Sequence, residues 1–123
     1  MSNQTEIQWL PEPEEKDYPE AESFLNLLCD GKEAGDLVKK LKKAEVVKFK
    51  AKDIFRASGL SLSGVSDYHL QKERKKIKKG LRLSPILLVR DRANGKVVVA
   101  NGYHRLCAVY SFDEDATVWS KIV

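Results

Sequence analysis

The side chains best suited to chemistry lie in one short segment, Asn101-Gly102-Tyr103-His104-Arg105. It follows the β-branched run Val97-Val98-Val99 and leads into a helical pattern with Leu106, Val109 and Tyr110 on one face. A strand end, a glycine and a helix start therefore coincide. At such a junction free backbone N–H groups and the positive end of the helix dipole converge on an anion. Gly102 allows close backbone approach and supplies a φ closed to other residues. Arg105, in the first turn, offers a planar fork suited to bidentate phosphate binding. His104 adds a further hydrogen bond, and its protonation answers to a bound anion. A purely structural use of the same residues has Asn101 capping the helix and Arg105 pairing with an acid such as Asp113 or Glu114.

Other reactive side chains are more dispersed. His69 is the second of the chain's two histidines and stands next to Tyr68, just ahead of Lys72, Arg74, Lys75, Lys76, Lys78 and Lys79. It either faces a bound anion, acts as a proton carrier or is an ordinary surface helix residue. The lysine run suits the phosphates of a polynucleotide, with salt-sensitive binding. No stacking aromatics interleave with it, so sequence readout is not expected. Asp113-Glu114-Asp115 would hold a metal together with phosphate or form an exposed turn, and the turn is the expectation, with no metal site assigned. Cys29 and Cys107 are too few for a disulfide framework and lack metal spacing. Cys107 is expected in the core as a small apolar side chain.

Charge is unevenly distributed along the 123 residues. Residues 1–22 hold seven acids against Lys16 alone, whereas residues 32–82 hold sixteen Lys/Arg against six acids. A basic middle suits an anionic partner, nucleotide or nucleic acid, and an acidic start would compete for that surface. No apolar run approaches the roughly 20 residues that span a bilayer, and the N-terminus lacks the features of a signal peptide, so a cytoplasmic location without membrane contact is expected.

These side chains must be positioned by a single domain, which a chain of this length can form. Residues 1–19, acidic and containing Pro11, Pro13 and Pro19, read as a flexible arm that Trp9-Leu10 would pin, and residues 20–123 as the domain. Ala21, Phe24, Leu25 and Leu28 form a helical stripe that stops near Asp30-Gly31. A second helix over 33–44 buries Ala34, Leu37, Val38 and Leu41. A strand at 45–50, a helical turn at 51–58 closed by Gly59 and a loop at 60–66 follow. Asp67 is the expected N-cap of a basic helix over 67–79, with Gly80 past its end. Two strands, 83–90 and 96–100, meet at the hairpin signal Asn94-Gly95; a helix over 102–112 and a final strand over 117–123 complete the order. The expected class is α/β of the α+β type, a mixed sheet with helices packed on it.

Ile77-x-x-Gly80, Leu83-Ser84-Pro85-Ile86-Leu87-Leu88, a hairpin, and then Asn101-Gly102-Tyr103-His104-Arg105-Leu106-x-Ala108 resemble the ParB-like nuclease/sulfiredoxin superfamily in order and spacing over about residues 67–123. The first half is similar, more loosely, to small bacterial ParB-like proteins. The resemblance implies a ParB/sulfiredoxin-like sheet whose glycine–arginine turn holds nucleotide phosphates, with ATP, ADP or CTP and Mg²⁺ as the ligands. Asn101, Gly102, Tyr103, His104 and Arg105 are then the phosphate-binding residues, with Ser84 along the same cleft and Lys79 and His69 contributing. Tyr103 stands where sulfiredoxin carries its catalytic cysteine, so sulfinic-acid reduction is not expected. The chain ends at Val123, before the helix-turn-helix region of ParB proper, so centromere recognition is not expected either. The leading expectation is a nucleotide-binding domain, as a phosphotransferase or nucleotide hydrolase. The alternatives are a non-enzymatic DNA- or RNA-binding accessory module acting through the basic helix 67–79, or a ParB-like nuclease.

Overall fold

A computed structural model describes residues 6–62 and 66–123. Part of the expected 60–66 loop and the first five residues of the expected arm lie outside the described residues.

The sheet is organised around β4 (Ile86–Asp91), whose consecutive apolar residues are buried on both faces. Ile86 and Leu88 point to one side, where they meet Leu106, Val109 and Val118. Leu87 and Val89 point to the other, against Tyr18, Ala21, Leu25, Ala34, Val38 and Leu41. β4 turns back through Asn94-Gly95 into β5 (Lys96–Asn101), with Gly95 at φ 64° and Asp91 accepting from the Asn94 backbone and side chain. On its other side β4 pairs in parallel with β6 (Thr117–Ile122), which in turn pairs antiparallel with β2 (Val47–Lys50). The order β2-β6-β4-β5 makes this a mixed sheet.

Helices cover both faces, giving an α+β fold. α1 (Asp17–Leu25) and α2 (Gly31–Lys43) cover one side. On the other side lie α3 (Ala51–Ser58), α4 (Asp67–Lys78) and α5 (Tyr103–Phe112). Two local expectations change. α1 ends at Leu25, which leaves Leu28 outside it and exposed, and its buried face is Tyr18, Ala21 and Leu25, so Phe24 is exposed as well. α4 is capped by Ser66, whose hydroxyl accepts from the His69 N–H, and Asp67 is its first helical residue.

Residues 6–19 differ from the expected flexible arm. β1 (Gln8–Trp9) pairs in parallel with β3 (Arg82–Leu83) in a separate two-stranded ribbon, and the Leu10 N–H continues it to the Leu83 carbonyl. Trp9 joins the core, and Tyr18 packs under the sheet. Glu12 reaches the buried Lys121 ammonium at 2.8 Å, and Lys121 also donates to the Lys42 carbonyl. Asp17 is almost fully buried. Two of the acids that favoured an arm, Glu12 and Asp17, are held by Lys121, Arg105 and Ser84 from distant parts of the chain.

Candidate functional site

β5 ends at Asn101, and α5 begins two residues later with Gly102 between them at φ 104°, ψ 18°. Only glycine takes this conformation without strain. The space is also closed: an added Cβ would fall 2.8 Å from Ile86 Cβ and 2.9 Å from Arg105 Nη2. Ile86, the first residue of β4, therefore presses directly on the turn. No side chain caps α5, and the first helical bond runs from Leu106 N–H to the Gly102 carbonyl. The first-turn N–H groups lack intrahelical partners, as at any helix start.

Arg105 lies along this turn with its side chain 14% exposed. Its Nη2 donates to Asn101 Oδ1 at 2.7 Å, and its Nη1 reaches Asp17 Oδ2 at 3.4 Å. Nε is buried and has no protein partner. Asp17 Oδ2 also accepts from the Ser84 hydroxyl, which itself accepts from the Glu14 N–H at 3.0 Å. The Asn101 amide donates to Glu20 Oε1. Asn101 thus orients the arginine instead of capping the helix, and the acid facing Arg105 is Asp17, not Asp113 or Glu114.

The two histidines meet at this end of the molecule. The His69 and His104 rings stack with centroids 4.5 Å apart and planes 14° from parallel. His69 Nδ1 is 2.6 Å from Ser66 Oγ. Burial pushes the His104 imidazole below its ordinary range, His69 and Arg105 push the same way, and Glu73 opposes them. His104 is therefore neutral at pH 7, able to donate one hydrogen bond or accept a proton. Beside it the Tyr103 hydroxyl donates to the Ser61 carbonyl, tying the turn to the segment after α3. Cys107 is fully buried, and burial raises its thiol pKa, which keeps it protonated.

The fold thus brings Asn101, Gly102, Tyr103, His104, Arg105, Ser84 and His69 into one region, Ser84 through Asp17 and His69 through His104. Lys79 is not among them. It caps the far end of α4, roughly 15 Å along the helix from His69. There it lines a groove of about 630 Å³ with Lys72, Lys75, Lys76 and Tyr68. Asp115 is paired with Lys52 at 2.6 Å and lies 4.0 Å from Lys50, while Asp113 accepts from the Asp115 N–H. These acids form a charge-paired turn, and among the described residues no group of three His, Cys, Asp or Glu is placed to hold a metal ion. A second concavity, about 570 Å³ and lined by Trp9, Phe112 and Trp119, also lies away from the turn.

Sequence reasoning missed Asp17 and Glu20 as members of the site. Nothing local signals them, because Asp17 is separated from Arg105 by 88 positions. A phosphate on the turn can use the uncapped first-turn N–H groups, but it must share the guanidinium with Asp17, and it reaches the buried Nε only if the Arg105 side chain shifts. The chain matches no family model, no curated protein and no solved structure.

Proposed function

We propose that the chain is a nucleotide-binding domain of the ParB/sulfiredoxin type, with the nucleotide phosphates seated on the 101–105 turn. One observation carries the reading. A helix start with a left-handed glycine and no side-chain cap has, in its own first turn, an arginine whose Nε is buried and unpartnered. An unpaired buried N–H costs about 1–3 kcal/mol, and an anionic oxygen is the partner that recovers it best. Ile86 and Arg105 close on the Cβ position of Gly102, so the turn keeps its tight backbone only with glycine there.

ATP, ADP and CTP with Mg²⁺ are the ligands that the resemblance implies, and phosphoryl transfer or hydrolysis are the reaction classes. Gly102 and the following N–H groups would bind the phosphate, Arg105 would orient and neutralise it, and neutral His104 would donate to it or take a proton. Mg²⁺ would arrive with the nucleotide and offset its charge. Asp17 opposes binding, since its carboxylate faces the same guanidinium, so tight binding requires Arg105 to exchange that contact for the phosphate.

A thermal-shift series with ATP, ADP, CTP and inorganic phosphate, each with and without Mg²⁺, tests the reading. A nucleotide present at about 100 times its dissociation constant adds roughly 2.7 kcal/mol of stability. No shift with any of them at millimolar concentration would reduce the turn to a helix start.

A further inference from the structure

α4 has two faces with separate uses. Leu70 and Ile77 pack inward, Glu73 and Arg74 flank them, and Arg74 reaches across to α5, lying 4.1 Å from the Phe112 ring centroid and donating to Ser111. Tyr68, Lys72, Lys75 and Lys79 recur at i, i+4, i+7 and i+11, which places them within a narrow arc on the opposite side. All four are exposed, Tyr68 by 71%. They line the groove of about 630 Å³ together with Asp67, Gln71, Lys76 and Leu81.

Among the described residues, the cations of this stripe have no ion-pair partners. Lys76 pairs with Glu73, but among the described residues Lys72, Lys75 and Lys79 have no carboxylate within ion-pair distance. Three of the acids at the start of the chain are engaged elsewhere, Glu12 on Lys121, Asp17 on Arg105 and Glu20 on Asn101. Neighbouring positions of such a stripe lie about 5–6 Å apart, which suits a partner with negative charge repeated along its length. An exposed tyrosine ring at one end and Leu81, 51% exposed, at the other add apolar surface that a bare anion would leave wet.

We infer that this face of α4 is a track for single-stranded nucleic acid, with phosphates on Lys72, Lys75 and Lys79 and a base stacked on Tyr68. Tyr68 precedes the lysines in the sequence, yet the helix sets it in line with them. The track is separate from the 101–105 turn. It reads no sequence, because one stacked ring and three ammonium groups contact features common to every base and every phosphate.

The test is fluorescence anisotropy of the full chain with a labelled oligothymidylate of about 16 nucleotides, near the upper site size of a single-strand-binding domain. With three phosphates neutralised, the affinity should fall with a log–log salt slope of about −2, or roughly 16- to 20-fold between 50 and 200 mM salt. Lys72→Glu combined with Lys75→Glu should abolish binding, Lys72→Gln with Lys75→Gln should lower the slope by about 1–1.5, and Tyr68→Ala should weaken binding about fivefold or more. The response of the paired lysine variants to mononucleotide should equal that of wild type, which keeps failure here distinct from failure of the turn. Three results would each overturn the track: no binding at 50 mM salt, duplex DNA bound as tightly as the single strand with Tyr68→Ala silent, or polyglutamate competing as well as the oligonucleotide.

Discussion

Replacing Gly102 with alanine separates two demands that the turn makes of its backbone. The first is conformational: a side chain at a left-handed φ costs about 1–2 kcal/mol. The second is steric, because the new Cβ would meet the Ile86 side chain and Arg105 Nη2 in a closed space. Overpacking of this kind costs about 1–3 kcal/mol. Gly95 supplies the control. It also has a positive φ, 64°, but nothing lies within 4 Å of an added Cβ, so Gly95→Ala bears the conformational cost alone. For a chain of this length the unfolding entropy is roughly 0.26 kcal/mol/K, so each kcal/mol moves Tm by about 4 °C. Gly102→Ala should then lower Tm by about 8–20 °C and Gly95→Ala by about 4–8 °C, measured by circular dichroism melts at matched pH. Nucleotide binding should be lost in the first variant and retained in the second. Equal Tm losses would show that Ile86 does not press on the turn, and retained binding in Gly102→Ala would show that the ligand needs no close backbone approach.

Further outcomes follow from the same contacts. Arg105→Ala leaves Asp17 charged and buried without its cation, and should cost about 3–5 kcal/mol in urea unfolding, whereas a loss under 1 kcal/mol would mean that the ion pair is idle. Arg105→Lys keeps the charge but loses the fork that reaches both Asn101 and Asp17, so it should be less stable than wild type, though more stable than Arg105→Ala, with nucleotide binding weakened. Trp9→Ala should destabilise by about 3–5 kcal/mol, and deleting residues 1–16 should abolish cooperative melting; a near wild-type melt of that truncation would make the segment an appendage. His104 has a folded pKa below its unfolded value, so the unfolded chain binds more protons near pH 6. The stability that neutral His104 contributes is complete above about pH 6.5 and declines as pH falls from there toward its folded pKa. His104→Gln should flatten that part of a pH–Tm curve, and an unchanged curve would refute the burial of the imidazole.

The parts of the fold that were legible in the sequence are those set by neighbours in the chain. The uninterrupted Ile86-Leu87-Leu88-Val89 run marks a strand, which the fold covers on both faces, and Asn94-Gly95 marks its hairpin. Gly102 before an amphipathic segment marked the helix start. Where two nearby residues competed for one role, periodicity could not choose between them. Ser66 and Asp67 are both good caps, and Phe24 and Leu28 fit the α1 stripe as well as Tyr18 does until the helix ends at Leu25. Longer-range features left no local trace. Proline and acid content make residues 6–19 read as solvated, because the partners of Glu12 and Asp17 are Lys121, Arg105 and Ser84, all distant in the chain. For the same reason the sequence points to the nearby Asp113 and Glu114 as partners of Arg105, whereas the acid that faces it is Asp17.

The placement of β6 has a consequence for the order in which the protein can be assembled. β6 is the last strand described, yet it lies inside the sheet, between β2 and β4. Among the described residues β2 has no other strand partner, so from the moment residues 47–50 are synthesised their ladder groups remain unpaired until residues 117–120 emerge. The intervening stretch must close a long loop before the pairing is formed, which slows formation of this part of the sheet. In the interval β4 also presents a bare apolar edge, able to accept a strand from another nascent chain. A stall or premature stop before Thr117 would therefore yield a half-sheet with two open edges, a substrate for chaperones and proteases and a seed for aggregation.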